Sequence, residues 1–515
     1  MLRHLASVGG FTLLSRLSGF ASGIVMADVL GAGRLADAFF VAFRIPNHFR
    51  AIFAEGAFNA AYIPSYSRLK AQDGPAAAKH FSSQIFTLLL VSQLLLLALA
   101  WAFMPQVIGL LAPGYDSDPE KFQLAQTMTR ITFPYLACIV LVTLHSATLN
   151  ANRHFAAAAF APVLLNLSMM ACLATSFLFP DAGIAASVGV VASGFLQLGF
   201  VMVAARRAGV LDGLARPRWG ADIRRFFLTL GPAIIGSAGG QIATFADTII
   251  ASTLADGGQS SVNFADRLYQ LPIGVIGIAA GTVLLPEMSR RLALGDAIGA
   301  ARAQNRTLAI TLALSVPFCV LFLAVPGLVM QTAFMRGRFT LADAGHAADV
   351  LWAYGFGLVA MVSLRAAVAS FQARGDLRTP MFISLFAVAV NVALKIVLIQ
   401  PFGAPGLAMA TAVGVWINLG LLLALSGRAG FFRPDGHLVK MLAVVANAAI
   451  WLIVLTLLAD EPIANLAARF GSWANLCHLA LLGTLGTLVY FGLLGLQMRL
   501  LGLPLPLLDR RAQRD

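Results

Sequence analysis

Long apolar stretches recur along the whole of this 515-residue chain, separated by short polar ones, and few folds accommodate that pattern. An apolar helix of about 20 residues crosses the hydrocarbon core of a bilayer. The periodicity predicts fourteen such helices, at roughly 8–30, 35–62, 81–112, 124–150, 155–179, 183–206, 224–254, 262–288, 305–333, 346–372, 379–400, 405–427, 438–459 and 474–500. Only 11% of residues are charged, against about a quarter in an ordinary soluble domain, so a water-soluble globule is excluded. The expected fold class is an all-α polytopic membrane protein. Its N-terminal segment lacks a small-residue cleavage site and runs on apolar past residue 26, so it is expected to be a retained first helix and not a signal peptide.

The net charge of +13 raises the question of nucleic acid, but no basic domain or nucleic-acid motif accompanies it. Of the 36 Lys and Arg residues, 24 fall in the termini and alternate loops such as 67–80, 205–219 and 289–296. Five fall on the opposite side (Arg34, Lys121, Arg336, Arg338, Arg469). Positive-inside bias then predicts both termini in the cytoplasm and the acidic stretch Y-D-S-D-P-E (115–120) outside.

An internal repeat subdivides the chain. The P-x-x-S-R landmarks at Pro64 and Pro286 lie 222 residues apart, and Asn166 has a counterpart in Asn391. Both landmarks sit at equivalent helices, so the repeats run parallel. We expect an N-terminal lobe over 1–215 (helices 1–6), a second over 216–430 (helices 7–12), and two extra helices with a cytoplasmic tail over 431–515. Paired lobes with a site between them suit a transporter working by alternating access.

Seven cations remain inside predicted helices: Arg16, Arg44, Arg50, Arg130, Arg267, Arg365 and Lys395. The acids there are Asp37, Glu55, Asp247 and Asp266. An ionisable residue at membrane depth costs about 2.5–3.5 kcal/mol on insertion scales and normally faces a cavity or partner. The surplus of cations points to an anionic substrate, and the planar guanidinium suits phosphate in particular. Arg130, near a helix end, is expected to snorkel to the headgroups, and Arg365 fits a helix interface equally well. Arg44 lies on a different helical face from Arg50. Arg16, Arg50 and Arg267 are flanked by small residues or proline and are the candidates for a shared cavity. Asp247 and Lys395, in the seventh and eleventh helices, read either as a salt bridge tying helices or as a pair controlling helix 7 during gating.

Enzyme chemistry finds no support. The eight histidines are scattered, and there is no HExxH, acid-rich metal motif or P-loop. The four cysteines lie in apolar segments without CxxC spacing. No catalytic residue, metal or cofactor is expected.

One stretch carries a more specific signal. G-A-G-R-L-A-D-A-F-F-V-A-F-R-I-P-N-H-F-R-A-I-F-A-E-G-A-F (31–58) resembles the signature of the MurJ/MviN lipid II flippases. I-T-F-P-Y-L (131–136), A-F-A-P-V-L-L-N-L-S-M (159–169), G-P-A-I-I-G (231–236) and A-D-R-L-Y-Q-L-P-I-G-V-I-G-I-A-A-G-T-V-L-L-P (265–286) are similar to that family too. The resemblance spans essentially the whole chain. It implies the fold of the multidrug/oligosaccharidyl-lipid/polysaccharide exporter superfamily. The implied substrate is undecaprenyl-pyrophosphate carrying the disaccharide-pentapeptide precursor of peptidoglycan, moved to the outer leaflet of the inner membrane. Implied substrate-binding residues are Arg16, Asn47, Arg50 and Arg267; Asp37, Glu55, Asp266 and Gln270 are implied gating or polar partners. Implied partners are lipid II, membrane phospholipids and cell-wall synthesis proteins, with no nucleic acid.

Two positions depart from the family pattern: Ser22 where many members carry a second arginine, and Gln270 where an acid is common. Near Asn391, where some members are thought to bind a monovalent cation, Lys395 is expected to pair with Asp247 in place of the ion. The competing readings are an exporter of another lipid-linked oligosaccharide, a drug exporter with fewer cavity arginines, a polyprenyl-phosphate enzyme, and a structural scaffold.

Overall fold

A computed structural model describes residues 2–52 and 58–503, and the statements below concern those residues. Helices account for nearly all of them, and the chain divides into two compact units, residues 1–260 with 336–340, and residues 261–335 with 341–515.

The first unit contains α1 (Leu2–Leu30), α2 (Arg34–Ile52), α3 (Phe58–Gln72), α4 (Gly74–Ala102), α5 (Met104–Leu111), α6 (Pro119–Thr132), α7 (Pro134–Ala151), α8 (Phe155–Ala174), α9 (Ala182–Arg207) and α10 (Ala221–Ala251). Proline sets several of these boundaries. Pro105 and Pro134 stand in the first turns of α5 and α7, where a missing N–H costs nothing, and they divide the expected spans 81–112 and 124–150. Helix α1 packs on α8, α8 and α7 on α9, and α2 on α6. Helix α10, the seventh expected span, packs on α3 and α2, with Phe226 buried beside Phe58, Tyr62 and Phe81. The first unit therefore extends beyond the expected lobe limit at residue 215 to take in this helix.

The second unit is built from α11 (Gly258–Pro272, whose first turn belongs to the first unit), α12 (Ile278–Ala293), α13 (Ala297–Ala324), α14 (Pro326–Phe334), α15 (Leu341–Gln372), α16 (Arg378–Arg428), α17 (Gly436–Ala467) and α18 (Ala474–Leu500). Between α11 and α12, directly after Pro272, one wide π-type turn runs through Ile273–Gly277. Helix α15 packs on α13 and α16, and α17 on α13 and α18. The core of this unit gathers Met288, Leu308, Met441, Leu452, Tyr490 and Met498.

Ten helical stretches are long and apolar enough to cross a membrane, among them 378–428 and 436–500. Each of these two is broken by a glycine in the left-handed region, Gly403 (φ 58°) and Gly471 (φ 56°), conformations that disfavour any side chain. Counted as two spans each, and joined by the more polar stretches of α2–α3 and α10, they are consistent with fourteen crossings. Large apolar side chains point outward along the same helices, including Leu95, Phe382, Phe386, Leu457 and Leu458, all more than half exposed. Such a surface is stable facing lipid and unstable facing water.

The loop expected at 67–80 is a correction. Helix α3 runs to Gln72 and α4 begins at Gly74, leaving a single-residue break. Ala, Lys, Arg and Gln, which dominate that stretch, are good helix formers, so a polar composition there marks an exposed helix end and not a loop.

Candidate functional site

Two clusters of polar groups stand out in the first unit, and one apolar cavity in the second. The signature stretch contributes to both polar clusters.

The first centres on Asp37, whose side chain is 1% exposed. Its carboxylate accepts hydrogen bonds from Lys121 Nζ at 2.9 Å, the Gly257 N–H at 2.9 Å, the Ser260 N–H at 2.8 Å and the Ser260 hydroxyl. Gly257 and Ser260 bracket the start of α11, so Asp37 caps that helix from a different part of the chain and meets the positive end of its dipole. Lys121 is likewise buried and donates also to Asp256 at 2.8 Å. Around this core, Arg34 bridges Asp118 (3.1 Å), Glu120 (2.8 Å) and Asp256 (3.3 Å). The Lys121 hydrogen bond is the main cause that holds the Asp256 carboxyl below the usual carboxylate range. A short neighbouring segment is fastened nearby: Arg338 N–H donates to the Asp28 carbonyl at 2.8 Å. Gly337 (φ 52°) lies so close to Asp28 that an added Cβ would sit 2.2 Å from its Oδ1, so only glycine fits. Asp37 was among the expected gating residues. Lys121, Asp256 and Ser260 were not, because each sits in a different loop or helix start and nothing in local sequence links them.

The second cluster surrounds Arg50. Asn47 Oδ1 accepts from Arg50 Nε (3.2 Å) and Nη2 (3.1 Å), so the i,i+3 pair fixes the guanidinium. Arg50 lines a cavity of about 320 Å³ among α3, α7, α8 and α9, together with Asn59, Tyr135, Ser146, Asn150 and Gln197. Sequence reasoning missed these five, since single amides and hydroxyls in apolar helices carry no charge signal. His48 is buried and packs against Phe245 of α10, with ring centroids 4.6 Å apart and planes tilted by 41°, which makes it a packing contact between helices. Arg44 is half-buried on α2. Glu55 lies outside the described residues.

Other expected residues are spread more widely. Arg16 is half-buried on α1 and does not line the Arg50 cavity; its neighbours Ser15 and Ser18 instead accept from Asn166 Nδ2 of α8 (3.3 and 2.9 Å). Ser22 is fully buried, and its hydroxyl has no hydrogen-bond partner among the described residues. Arg267 and Asp266 sit on α11 in the second unit, where Gln270 Nε2 donates to Asp266 Oδ1 at 3.3 Å. Asp247 and Lys395 belong to different compact units, on α10 and α16, although a single lobe was expected to hold both. Lys395 is 2% exposed.

His145, one of the scattered histidines, lies 3.2 Å from Asp212 with both side chains fully enclosed. Ring and carboxylate are not aligned for a hydrogen bond, so the pair is a close packing contact. It fastens the irregular segment after α9 inward, as do the Gly213 N–H to Ser83 Oγ (3.2 Å) and Ala215 N–H to Thr87 Oγ1 (3.1 Å) hydrogen bonds.

In the second unit, Leu314, Phe318, Leu452, Leu482, Gly486 and Phe491 line an apolar cavity of about 370 Å³. It bears almost no polar groups and suits an alkyl or isoprenoid chain.

Comparison with known proteins places these features in context. The family profile described as "Lipid II flippase MurJ" matches residues 26–481. A probable lipid II flippase MurJ of Rhizobium meliloti is 39% identical over 488 residues, covering 93% of this chain and 91% of the relative. A lipid II flippase MurJ of Burkholderia cenocepacia is 33% identical, covering 87% and 88%. Among solved structures, a lipid II flippase MurJ in an inward closed conformation shares the fold with a TM-score of 0.81, covering 96% of this chain and 99% of that one at 22% identity. A multidrug-resistance MATE transporter of the MOP superfamily is a more distant likeness, with a TM-score of 0.68 at 14% identity and 83% and 98% coverage. The chain thus belongs to the lipid II flippase MurJ family.

Proposed function

We propose that this protein carries the headgroup of lipid II across the inner membrane, from the cytoplasmic to the outer leaflet, by alternating access, with both termini in the cytoplasm. The observation that carries this reading is the Arg50 guanidinium, fixed by Asn47 at the edge of a polar cavity inside an apolar helical unit. A cation held at membrane depth at the edge of a polar cavity is suited to an anion that arrives with the substrate. Arg50, Arg16 and Arg267 contact the pyrophosphate and adjoining headgroup in this reading, with Asn47 positioning Arg50. The apolar cavity of the second unit supports a lipid-linked substrate, since it offers an alkyl chain a protein surface with few polar groups.

Asp37 and its partners act as the latch of the cycle, with Asp266 and Gln270 as polar partners on α11 and Glu55 in the same role on the signature stretch. The Asp37 latch holds the start of α11, the point at which the chain passes from the first compact unit to the second. The lobes of the cycle correspond to residues 1–215 and 216–430, with 431–515 as an accessory pair of helices and tail. Asp247 and Lys395 act in gating. Phospholipids surround the carrier, and cell-wall synthesis proteins take up the product.

Depletion of the protein in cells tests the reading. Lipid II is then probed with a membrane-impermeant enzyme that cleaves the lipid–pyrophosphate bond from outside. Lipid II should become protected on depletion, and protection should persist when Arg50→Ala is supplied. Unchanged cleavage on depletion would refute the proposed function.

A further inference from the structure

The segment between α9 and α10 is irregular, yet the first unit holds it at three points. The Gly213 N–H donates to Ser83 Oγ and the Ala215 N–H to Thr87 Oγ1, both on α4, and Asp212 turns inward until its side chain is 1% exposed. There it meets the fully enclosed His145 of α7, with Oδ2 3.2 Å from the ring Nδ1. Both carboxylate oxygens and both ring nitrogens lack a hydrogen-bond partner among the described residues. The surroundings are apolar or already satisfied: Phe86 packs on the His145 ring with centroids 5.6 Å apart, and the Tyr62 hydroxyl is bonded to Ser82 and, at 2.7 Å, to Thr148.

An ionised carboxylate beside a neutral imidazole would be a buried charge with neither counter-charge nor donor, which is strongly unfavourable. Charged groups on the packed elements are engaged or placed elsewhere. On α3, Arg68 pairs with Asp222 at 2.7 Å and Lys70 Nζ donates to Asn152 at 2.6 Å, while the Tyr66 hydroxyl accepts from Asn152. Lys79 and His80 of α4, Arg206 and Arg207 of α9, Arg216 and Arg218 of the segment itself, and Arg224 and Arg225 of α10 are exposed. Arg50 of α2 lines the polar cavity with Ser146, the next residue of α7, and grips Asn47. The other titratable side chains of α7 and α8 are Tyr135, Cys138 and Cys172, none of them a cation. One proton resolves the conflict, because on either partner it leaves the pair without net charge. It is also the occupant that needs no room between two enclosed groups 3.2 Å apart.

We infer that His145 and Asp212 form a proton-binding site, and that its single proton docks the α9–α10 segment on the first unit. The inference goes beyond the transport reading and stands independently of it. Loss of the proton strands a charge, so Asp212 leaves for water and takes Gly213 and Ala215 off α4. With the segment off, water reaches both groups, and a hydrated Asp and His titrate near about 3.9 and 6.5. Below about pH 6.5 the undocked pair already carries one proton, and docking is indifferent to pH. Above that it carries none, so docking takes up one proton and the docking equilibrium weakens about tenfold per pH unit. Because α10 begins at Ala221, directly after the segment, the pH on this side of the membrane sets how firmly the start of that helix is held.

Hydrogen exchange on the full-length protein in nanodiscs, between about pH 6 and pH 8.5, tests the site. After correction for intrinsic rates, the Gly213 and Ala215 amides should exchange at a constant rate up to about pH 6.5 and then about tenfold faster per pH unit. The Gly299 amide, which donates to Asp296 Oδ1 at 2.7 Å, is the internal control and should stay flat. Asp212→Asn has no carboxylate to titrate, and both amides should then be flat above about pH 6.5. If that variant fails to fold, Asp212→Leu combined with His145→Leu replaces both partners with apolar groups and should give the same flat profile. A flat wild-type profile would overturn the assignment. So would a tenfold slope that survives in Asp212→Asn or in the double variant, or an equal rise at Gly299.

Discussion

Replacing Asp37 by Asn tests the latch with the least change of shape. The carboxylate is 1% exposed and receives four hydrogen bonds, from Lys121, the Gly257 and Ser260 amides and the Ser260 hydroxyl. The amide can accept on one oxygen only, and its NH2 group would confront the Lys121 ammonium or a backbone N–H. Removing one partner of a buried ion pair costs about 3–5 kcal/mol when the remaining charge is left alone. Lys121 is not left alone, because Asp256 stays 2.8 Å away, so the lower end of that range applies, about 3 kcal/mol. The Gly257 and Ser260 amides donate directly to Asp37, so their hydrogen exchange reports the latch. A loss of about 3 kcal/mol should speed exchange at both roughly 150-fold in Asp37→Asn, since each 1.4 kcal/mol is tenfold. Amides in the middle of α8 and α9 should be unaffected. Exchange at Gly257 and Ser260 changing less than about threefold would refute the reasoning, and would mean that the backbone path, not the carboxylate, secures this segment.

Other perturbations read out separate parts of the structure. Arg50→Lys keeps the charge but loses the two-nitrogen grip on Asn47 Oδ1, and should weaken lipid II binding about tenfold, measured in nanodiscs, with the fold intact by thermal melting. Gly486→Leu should fill the apolar cavity, because an added Cβ already lies 3.0 Å from Leu452 Cδ1; transport should fall at least fivefold while binding of a water-soluble headgroup fragment is retained. The Asp256 carboxyl titrates below its ordinary value of 3.8, so its contribution is complete above that pH and is lost only as pH falls through its depressed value. Exchange at Gly257 should accordingly be flat, after correction for intrinsic rates, between about pH 5 and pH 7. A rise beginning near pH 6 would implicate another group.

Much of this architecture was legible from the sequence because apolar runs and lysine/arginine placement respond directly to the bilayer. Gly403 and Gly471 fall within about three residues of expected helix ends, and proline lies in the first turn of α5 and of α7. The signature stretch also yielded Asp37, Asn47 and Arg50 as candidates. What was not legible depended on meetings between distant segments. Lys121 reads as a loop cation until its burial between Asp37 and Asp256 is seen. Asn59, Asn150 and Gln197 converge on one cavity from three helices, and no local pattern announces that meeting. The packing of α10 on α3 through its aromatic face, with Phe226, was not legible either, because periodicity alone cannot assign which helix a face meets.

Transport in a defined system tests the central claim most directly. Purified protein is reconstituted into liposomes with lipid II, and the outward-facing fraction is followed with an impermeant probe that reacts only with exposed headgroups. Wild-type vesicles should expose nearly all of the lipid II on both leaflets to exchange, while Arg50→Ala and protein-free vesicles should leave the inner half protected. Equal protection in wild-type and protein-free vesicles would contradict the account, and so would full exchange in Arg50→Ala.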